Sequence, residues 1–138
     1  MKYDPYDIKG IFLPKFLLKF IRKITRVKYV NLNSNVYGSS NTFGIKINKR
    51  ISTFDQEQSL EHEYVHIYQR WQSLFLIHIL LKLVSKKYKI YVEASAFAVS
   101  VKVGLSLEVA ANSLAKAKSY ADIGLTPEKA EKEIRKYL

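Results

Sequence analysis

The 138-residue sequence has no cysteine, and this absence excludes several classes of protein. Disulfide-stabilised folds, cysteine-held iron–sulfur clusters and thiolate zinc sites are all ruled out. Long hydrophobic runs are lacking as well. The longest apolar stretch, residues 74–84, is interrupted by His78 and Lys82 and falls well short of the roughly 20 residues that cross a bilayer. Internal repeats and low-complexity linkers are also missing, so we expect a single domain over residues 1–138.

Acidic residues are scarce: the chain has 12 Asp+Glu against 23 Lys+Arg, a formal net charge of +11. The imbalance is concentrated in residues 1–50, which hold 11 Lys+Arg and only 2 Asp, whereas residues 51–100 are balanced. This excess predicts a basic surface near the start of the chain, suited to an anionic partner. Apolar residues at 48% and charged residues at 25% are typical of a globular domain with one core.

The basic N-terminal segment, residues 1–26, includes an amphipathic pattern over residues 14–26, PKFLLKFIRKITR. Basic residues are interleaved with apolar ones, and no small-residue cleavage site follows, so a signal peptide is a poor interpretation. One interpretation is a helix on an anionic membrane surface, which the pattern favours over nucleic acid. The other is an ordinary surface helix that packs on the core. We therefore expect a cytoplasmic protein, membrane-associated if the first interpretation holds.

The remaining patterns predict a mainly helical α+β domain with a small sheet ahead of a long helix. Residues 27–32 and 42–48 have strand character, and the turn-forming residues between them (33–35 and 38–41) suggest a small antiparallel unit. The long helix should run from about Phe54 past Trp71, with Ser52 or Thr53 as N-cap. Residues 86–89 are expected to be a polar connection to a buried helix over residues 91–103, ended by Gly104. Helices over residues 107–120 and from Pro127 follow, with a turn at residues 122–124 between them.

Residues 62–66 read HEYVH, the H-E-x-x-H pattern of two histidines four residues apart with a glutamate after the first. Positions i and i+4 share one face of a helix, so His62 and His66 direct both imidazoles, which are good zinc ligands, at one ion. Glu63 lies about 100° further round the helix, within reach of a metal-activated water whose proton it accepts as general base. The pattern therefore predicts a hydrolytic zinc site. The alternative is a pair of histidines that only pack or face solvent.

A catalytic zinc needs a third protein ligand, which in a chain without cysteine should be Asp, Glu or His. Glu93 stands out because its segment, YVEASAFA, is expected to be buried, and a buried carboxylate needs a compensating charge. Ala96 and Ser100 share its helical face and would permit close approach to the helix of the histidine pair. A buried pair between Glu93 and a Lys or Arg is the alternative. Weaker ligand candidates are His78, Glu108, Asp122 and the C-terminal acidic residues.

Two further groups of polar side chains fall near the predicted site. Gln69 either orients a metal ligand or lines the cleft, or it is an ordinary helix-surface glutamine. Tyr88, Tyr91 and Tyr120 follow the motif, and each is expected to pack its ring rather than to stabilise a reacting oxygen.

The HEYVH motif followed by the helical glutamate of YVEASAFA resembles the gluzincin group of zinc metallopeptidases. Gln69, in HEYVHIYQ, also resembles the glutamine of small bacterial HExxHxxQ metallopeptidase-like domains, the minimal gluzincins. The resemblance covers about residues 36–104. It implies a zincin-like fold, zinc bound by His62, His66 and Glu93, and Glu63 as general base and acid. It also implies a substrate strand within residues 36–48 whose edge pairs with an extended peptide.

The chain also departs from these patterns. The interval from His66 to Glu93 is longer than in thermolysin-like members, and residues 71–89 within it are expected to continue the zinc helix or to form an extra hairpin. The metzincin pattern fails, because no third histidine occurs before His78.

The leading hypothesis is a zinc-dependent metallopeptidase that acts on a peptide or protein substrate. The alternative is a basic membrane- or nucleic-acid-associated binding protein in which the metal site is structural or degenerate.

Overall fold

A computed structural model describes residues 3–74, 76–117 and 124–138 of the chain. Over these residues the chain forms six helices and a three-stranded sheet. In chain order the elements are α1 (Lys15–Ile24), β1 (Arg26–Val30), β2 (Gly38–Ser40), β3 (Gly44–Asn48), α2 (Thr53–Gln72), α3 (Leu76–Val84), α4 (Lys86–Val103), α5 (Leu107–Lys116) and α6 (Pro127–Arg135). The predicted architecture, mainly helical α+β with a small sheet ahead of the long helix, is confirmed.

The sheet has the strand order β1-β3-β2, which leaves β2 at one edge. Strand β3 pairs antiparallel with β2 but parallel with β1, in a register that places Lys28 directly beside Lys46. The prediction of a purely antiparallel unit is therefore wrong. The reason is that residues 38–40, predicted as turn, form a strand of their own, and this strand reverses the chain once more before β3 begins.

The core between the sheet and the first helices is built from the inward faces of β3, α1 and α2. Ile45 and Ile47 of β3 lie on the inward face, on either side of the exposed Lys46, as period-2 geometry requires, and pack with Val65 and Tyr68 of α2. Helix α1 contributes Leu18 and Ile21 to the same core. Its outer apolar residues, Phe16 and Phe20, remain exposed.

Helix α2 begins where the sequence predicts, because the Ser52 side chain accepts a hydrogen bond from the Asp55 amide and caps the first turn. It ends at Gln72, and a residue with positive φ, Leu74 at 50°, turns the chain into the separate helix α3. The expectation that residues 71–89 continue α2 or form a hairpin is therefore wrong.

Helix α4 packs more extensively against α2 than any other element does. It begins at Lys86, because the Ser85 side chain accepts a hydrogen bond from the Tyr88 amide, so residues 86–89 are its first turn and not the predicted connection. It ends at Val103 and is capped by Gly104, as predicted. Gly104 has a φ of 123°, which glycine adopts readily and residues with a Cβ atom rarely do.

Helices α5 and α6 cover the side of α4 that faces away from the sheet, around a second cluster that includes Ala94, Ala98, Leu114 and Ile134. Helix α5 ends at Lys116, earlier than predicted, and residues 118–123 of the predicted helix and turn lie outside the described residues. Thr126 caps α6 as expected. Among the described residues, no helix has the length and apolar character needed to cross a membrane.

Candidate metal centre

The packing of α2 against α4 brings His62, His66 and Glu93 to one point. The Nε2 atoms of the two histidines lie 3.1 Å apart. The Oε2 atom of Glu93 lies 3.4 Å from His66 Nε2 and 3.7 Å from His62 Nε2. Within the part of the chain that the structure describes, these three residues are the one group of His, Asp or Glu side chains close enough to hold a metal ion.

The spacing of these three atoms fits a small divalent cation. Zinc lies about 2.1 Å from nitrogen and oxygen ligands, so tetrahedral ligands are about 3.4 Å from one another. The three separations of 3.1, 3.4 and 3.7 Å are centred on that value. Two imidazoles and one carboxylate also form the donor set of known catalytic zinc sites, in which a fourth position is left for water or substrate.

Hydrogen bonds on the far side of each imidazole fix its orientation. His66 Nδ1–H donates to Gln69 Oε1 at 3.1 Å, because an amide oxygen only accepts, and His62 Nδ1 lies 3.3 Å from Ser100 Oγ, within hydrogen-bond distance. In the tautomer in which both Nδ1 atoms are donors, both Nε2 atoms carry lone pairs on the side of the Glu93 carboxylate. In that tautomer, three acceptor atoms converge at one point.

A cation at this point would compensate three converging acceptors, and the pKa values of His66 and Glu93 shift in the corresponding directions. Burial lowers the pKa of His66, but the neighbouring Glu93 carboxylate more than offsets this and raises that pKa above its usual value. Burial raises the pKa of Glu93, but His66 and His62 outweigh it and hold that pKa well below its usual range. The cluster thus favours positive charge at its centre, which either a proton or a metal ion supplies.

Gln69 is fully buried and joins His66 to the neighbouring helix. Its Nε2 donates to the Val92 carbonyl oxygen at 2.9 Å and to Ser95 Oγ at 2.8 Å, while its Oε1 accepts from His66. The interpretation as a helix-surface glutamine is therefore wrong, and the contact with His66 is the one that support of a ligand would need. The spacing from His66 to Gln69, i to i+3 on one helix, is the sequence signal for this contact.

Glu63 lies at the side of the cluster that faces the sheet. Its side chain is largely buried next to Gly38 of the edge strand β2. A Cβ atom at Gly38 would lie 3.2 Å from Glu63 Cγ, tighter than ordinary van der Waals contact, so the glycine allows the strand to approach the carboxylate closely. Glu63 is not a member of the ligand cluster, as expected for a general base.

The alternative partner for Glu93, a cation of the protein, is also present. Lys82 Nζ on α3 lies 4.0 Å from Glu93 Oε1, whereas Oε2 faces the histidines. The carboxylate is thus shared between a lysine and the histidine pair. Lys82 could not be identified from the sequence, because its proximity to Glu93 depends on how α3 packs beside α4.

The other ligand candidates lie elsewhere. His78 is buried, and its Nδ1 is 3.0 Å from the Tyr88 hydroxyl group. Burial, together with the charges of Lys82 and Arg70, lowers the pKa of His78 to about 4, so the ring is neutral near pH 7. Glu108 is exposed on α5, and Asp122 is outside the described residues. Two of the C-terminal acidic residues form exposed ion pairs, Glu131 with Arg135 and Glu133 with Lys136.

The tyrosines after the motif have structural partners. The Tyr88 hydroxyl group contacts Ser73 and His78, and that of Tyr91 donates to the Gly10 carbonyl oxygen. Tyr120 lies outside the described residues. Arg70, which sequence reasoning did not single out, donates to Ser40 Oγ and to the Asn41 carbonyl oxygen, placing a cation at the end of β2.

Comparison with known proteins finds no matching family model, no matching curated protein and no matching solved structure. Function is therefore inferred from the residues and geometry of this centre.

Proposed function

We propose that this protein is a zinc-dependent metallopeptidase with a zincin-like site, in which His62, His66 and Glu93 hold the metal. The observation that carries the proposal is the convergence of three acceptor atoms at metal-ligand spacing, with both histidine Nδ1 groups already engaged by Gln69 and Ser100. Zinc in such a site supplies a Lewis acid that polarises a carbonyl group and makes water a nucleophile near neutral pH.

Glu63 is the residue that moves the proton. It follows the first ligand directly, and its side chain lies against Gly38 of the edge strand β2. As a general base, its carboxylate accepts a proton from the attacking water, and as a general acid it delivers that proton to the departing amine. Among the residues near the centre, its placement suits both tasks without occupying a ligand position.

The edge strand β2 is the element that would orient the substrate. It pairs with β3 on one side only, so its other side offers backbone N–H and C=O groups to an extended peptide. Because Gly38 lies against Glu63, a peptide paired with β2 would run past the general base. This arrangement favours an unstructured peptide segment as substrate.

The proposal is tested with Glu63→Gln, which keeps the size of the side chain and removes its basicity. Zinc content after dialysis and cleavage of a peptide mixture, followed by mass spectrometry, are measured on zinc-loaded protein. We expect unchanged zinc content and a loss of hydrolysis of about 10²–10⁴-fold, the usual contribution of a general base. Glu57→Gln, an exposed position on the same helix, is the matched control and should retain full activity.

The ligand set is tested in the same assay by comparing Glu93→Ala with His78→Ala. Glu93→Ala should weaken zinc binding by more than the roughly 10–100-fold that loss of an outer hydrogen-bond partner costs. His78→Ala should leave zinc binding unchanged, because His78 lies outside the cluster. Unchanged zinc affinity in Glu93→Ala would refute the assigned ligands, and a wild-type protein that binds zinc without cleaving any peptide would favour the structural or degenerate site of a binding protein.

A further inference from the structure

Helix α3 has its polar and apolar faces inverted relative to an ordinary surface helix. Of its nine residues, LIHILLKLV, only His78 is buried, at 4% exposure. Leu76 and Leu83, in contrast, are 79% and 74% exposed. A helix on the surface of a soluble domain normally turns its apolar residues to the core and its polar residues to water.

The exposed apolar surface of this helix is continuous along its length. The residues that form it are Leu76, Ile77, Ile79, Leu80, Leu83 and Val84. Contiguous apolar surface of this kind marks a site that another molecule or a membrane covers, whereas single exposed apolar residues do not.

The turn before α3 adds a further exposed leucine at a conformational cost. Leu74 has a φ of 50°, the left-handed region in which glycine or asparagine is less strained, and its side chain is 69% exposed. Neither the backbone geometry nor burial within the protein accounts for a leucine at this position. Contact between its side chain and another molecule would account for it.

The charged residues on α3 and in the chain segments that flank it are all basic. No Asp or Glu occurs in residues 64–92, and Lys86 and Lys87 are exposed in the first turn of α4, directly after α3. Cations in the first turn of a helix oppose the helix dipole, so these lysines are also placed at some cost to stability. An apolar surface with a lysine rim is complementary to the acyl chains and anionic headgroups of a membrane. A second copy of this chain would instead bring two basic rims together.

The surface extends to the N-terminal segment. The Phe12 amide donates to Gln72 Oε1 at the end of α2, two residues before Leu74, and the Phe12 ring is 85% exposed. Phe12 therefore lies at the end of the molecule where α3 begins.

We propose that α3, together with Leu74 and Phe12, inserts into the interface of an anionic lipid membrane. We name these residues the α3 surface. A nine-residue helix is too short to span a bilayer and lies in the plane of the interface. Membrane binding through the α3 surface does not depend on the proposed peptidase activity, so Glu63→Gln should bind lipid as the wild type does.

The test is sedimentation of the zinc-loaded protein with phosphatidylcholine vesicles that contain about 30% phosphatidylglycerol, compared with pure phosphatidylcholine. The double variant Leu80→Glu/Leu83→Glu should bind the anionic vesicles at least about tenfold more weakly, since each leucine loses its apolar burial. Leu80→Ser/Leu83→Ser, a milder variant, should also bind the anionic vesicles more weakly than the wild type does. Val109→Glu, an exposed apolar position on α5, is the matched control and should bind normally.

The lysine rim is tested by Lys86→Glu/Lys87→Glu, which should remove most of the preference for anionic over neutral vesicles. Three outcomes would overturn the proposal: equal binding by the wild type and the leucine variants, loss of binding only in Phe16→Glu/Phe20→Glu on α1, or a dimer without lipid that the leucine variants dissociate. The last result would make the α3 surface an interface between two copies.

Discussion

Gln69 ties the candidate metal centre to the packing of the fold. Its Oε1 accepts from His66 and its Nε2 donates to Val92 and Ser95 on α4. Both ends of one amide are thus used, one to orient a ligand and the other to hold two helices together. The two roles can be separated by substitution.

We predict that Gln69→Ala weakens zinc binding by about 10–100-fold, since His66 loses the acceptor that fixes its tautomer. The same substitution should lower the free energy of unfolding by about 2–3 kcal/mol, because it leaves a cavity and unpaired polar groups in a buried position. Zinc affinity is measured by competition with a chelator, and stability by urea unfolding of the metal-free protein.

Gln69→Glu and Gln72→Ala are the companion variants. A glutamate keeps the acceptor for His66 but loses the donor to Val92 and Ser95, so it should retain zinc affinity more closely than alanine does while still losing stability. Gln72→Ala, a half-buried glutamine of the same helix, should leave zinc affinity unchanged. Equal zinc affinities in the wild type and Gln69→Ala would show that Gln69 has only a structural role.

The convergence of the three candidate ligands could be predicted from the sequence because their chemistry is local. His62 and His66 lie one helical turn apart, and Glu93 is a carboxylate in an apolar helix. Of their outer partners, Gln69 could be suggested from its spacing to His66, whereas Ser100 could not be derived as a partner of His62. Ser100 contacts His62 only because α4 crosses α2 at one particular register, which a single sequence does not specify.

At the scale of elements, the turn between α2 and α3 stores conformational strain. Leu74 adopts a left-handed conformation that costs about 1–2 kcal/mol for a residue with a Cβ atom. Glycine relieves this strain but loses more conformational entropy on folding, by about 0.5–1 kcal/mol.

We therefore predict that Leu74→Gly raises the free energy of unfolding by about 0.5–1 kcal/mol, the difference between these two effects. Leu74→Ala, which keeps the strain and removes an exposed side chain, should change stability little. Urea unfolding of the metal-free protein measures both. A Leu74→Gly variant less stable than Leu74→Ala would contradict the assignment of strain to this turn.

The elements that the sequence predicts well are those with local signals. The caps Ser52 and Thr126 and the terminating Gly104 mark helix ends through their own hydrogen bonds or backbone freedom. The sequence gives no such signal for the separation of α3 from α2, because the residue at the turn is a leucine. The parallel pairing of β1 with β3 was also missed, since it depends on a three-residue edge strand that sequence patterns do not distinguish from a turn.

At the scale of the whole molecule, the candidate centre joins the two halves of the fold. His62 and His66 belong to the helix that packs on the sheet, whereas Glu93 belongs to the helix that also carries α5 and α6. A bound ion would therefore stabilise the contact between the two hydrophobic clusters.

We predict that removal of zinc by a chelator lowers the melting temperature by on the order of 10 °C. A ligand present at about 1,000 times its Kd stabilises a protein by about 4 kcal/mol, and each kcal/mol shifts the melting temperature of a domain of this size by about 3 °C. Calorimetry with and without zinc measures the difference. Glu93→Ala should show little zinc-dependent shift, and an equal shift in both proteins would place the ion elsewhere.

The lysine register of the sheet has a consequence for the environment in which the fold is most stable. Lys28 and Lys46 are immediate neighbours on adjacent strands, and Arg26 lies on the same exposed face. Like charges on directly opposite residues repel one another, so this repulsion lowers the stability of the three-stranded sheet. Counterions on the outer side of the sheet screen this repulsion, so the free energy of unfolding should increase as ionic strength rises.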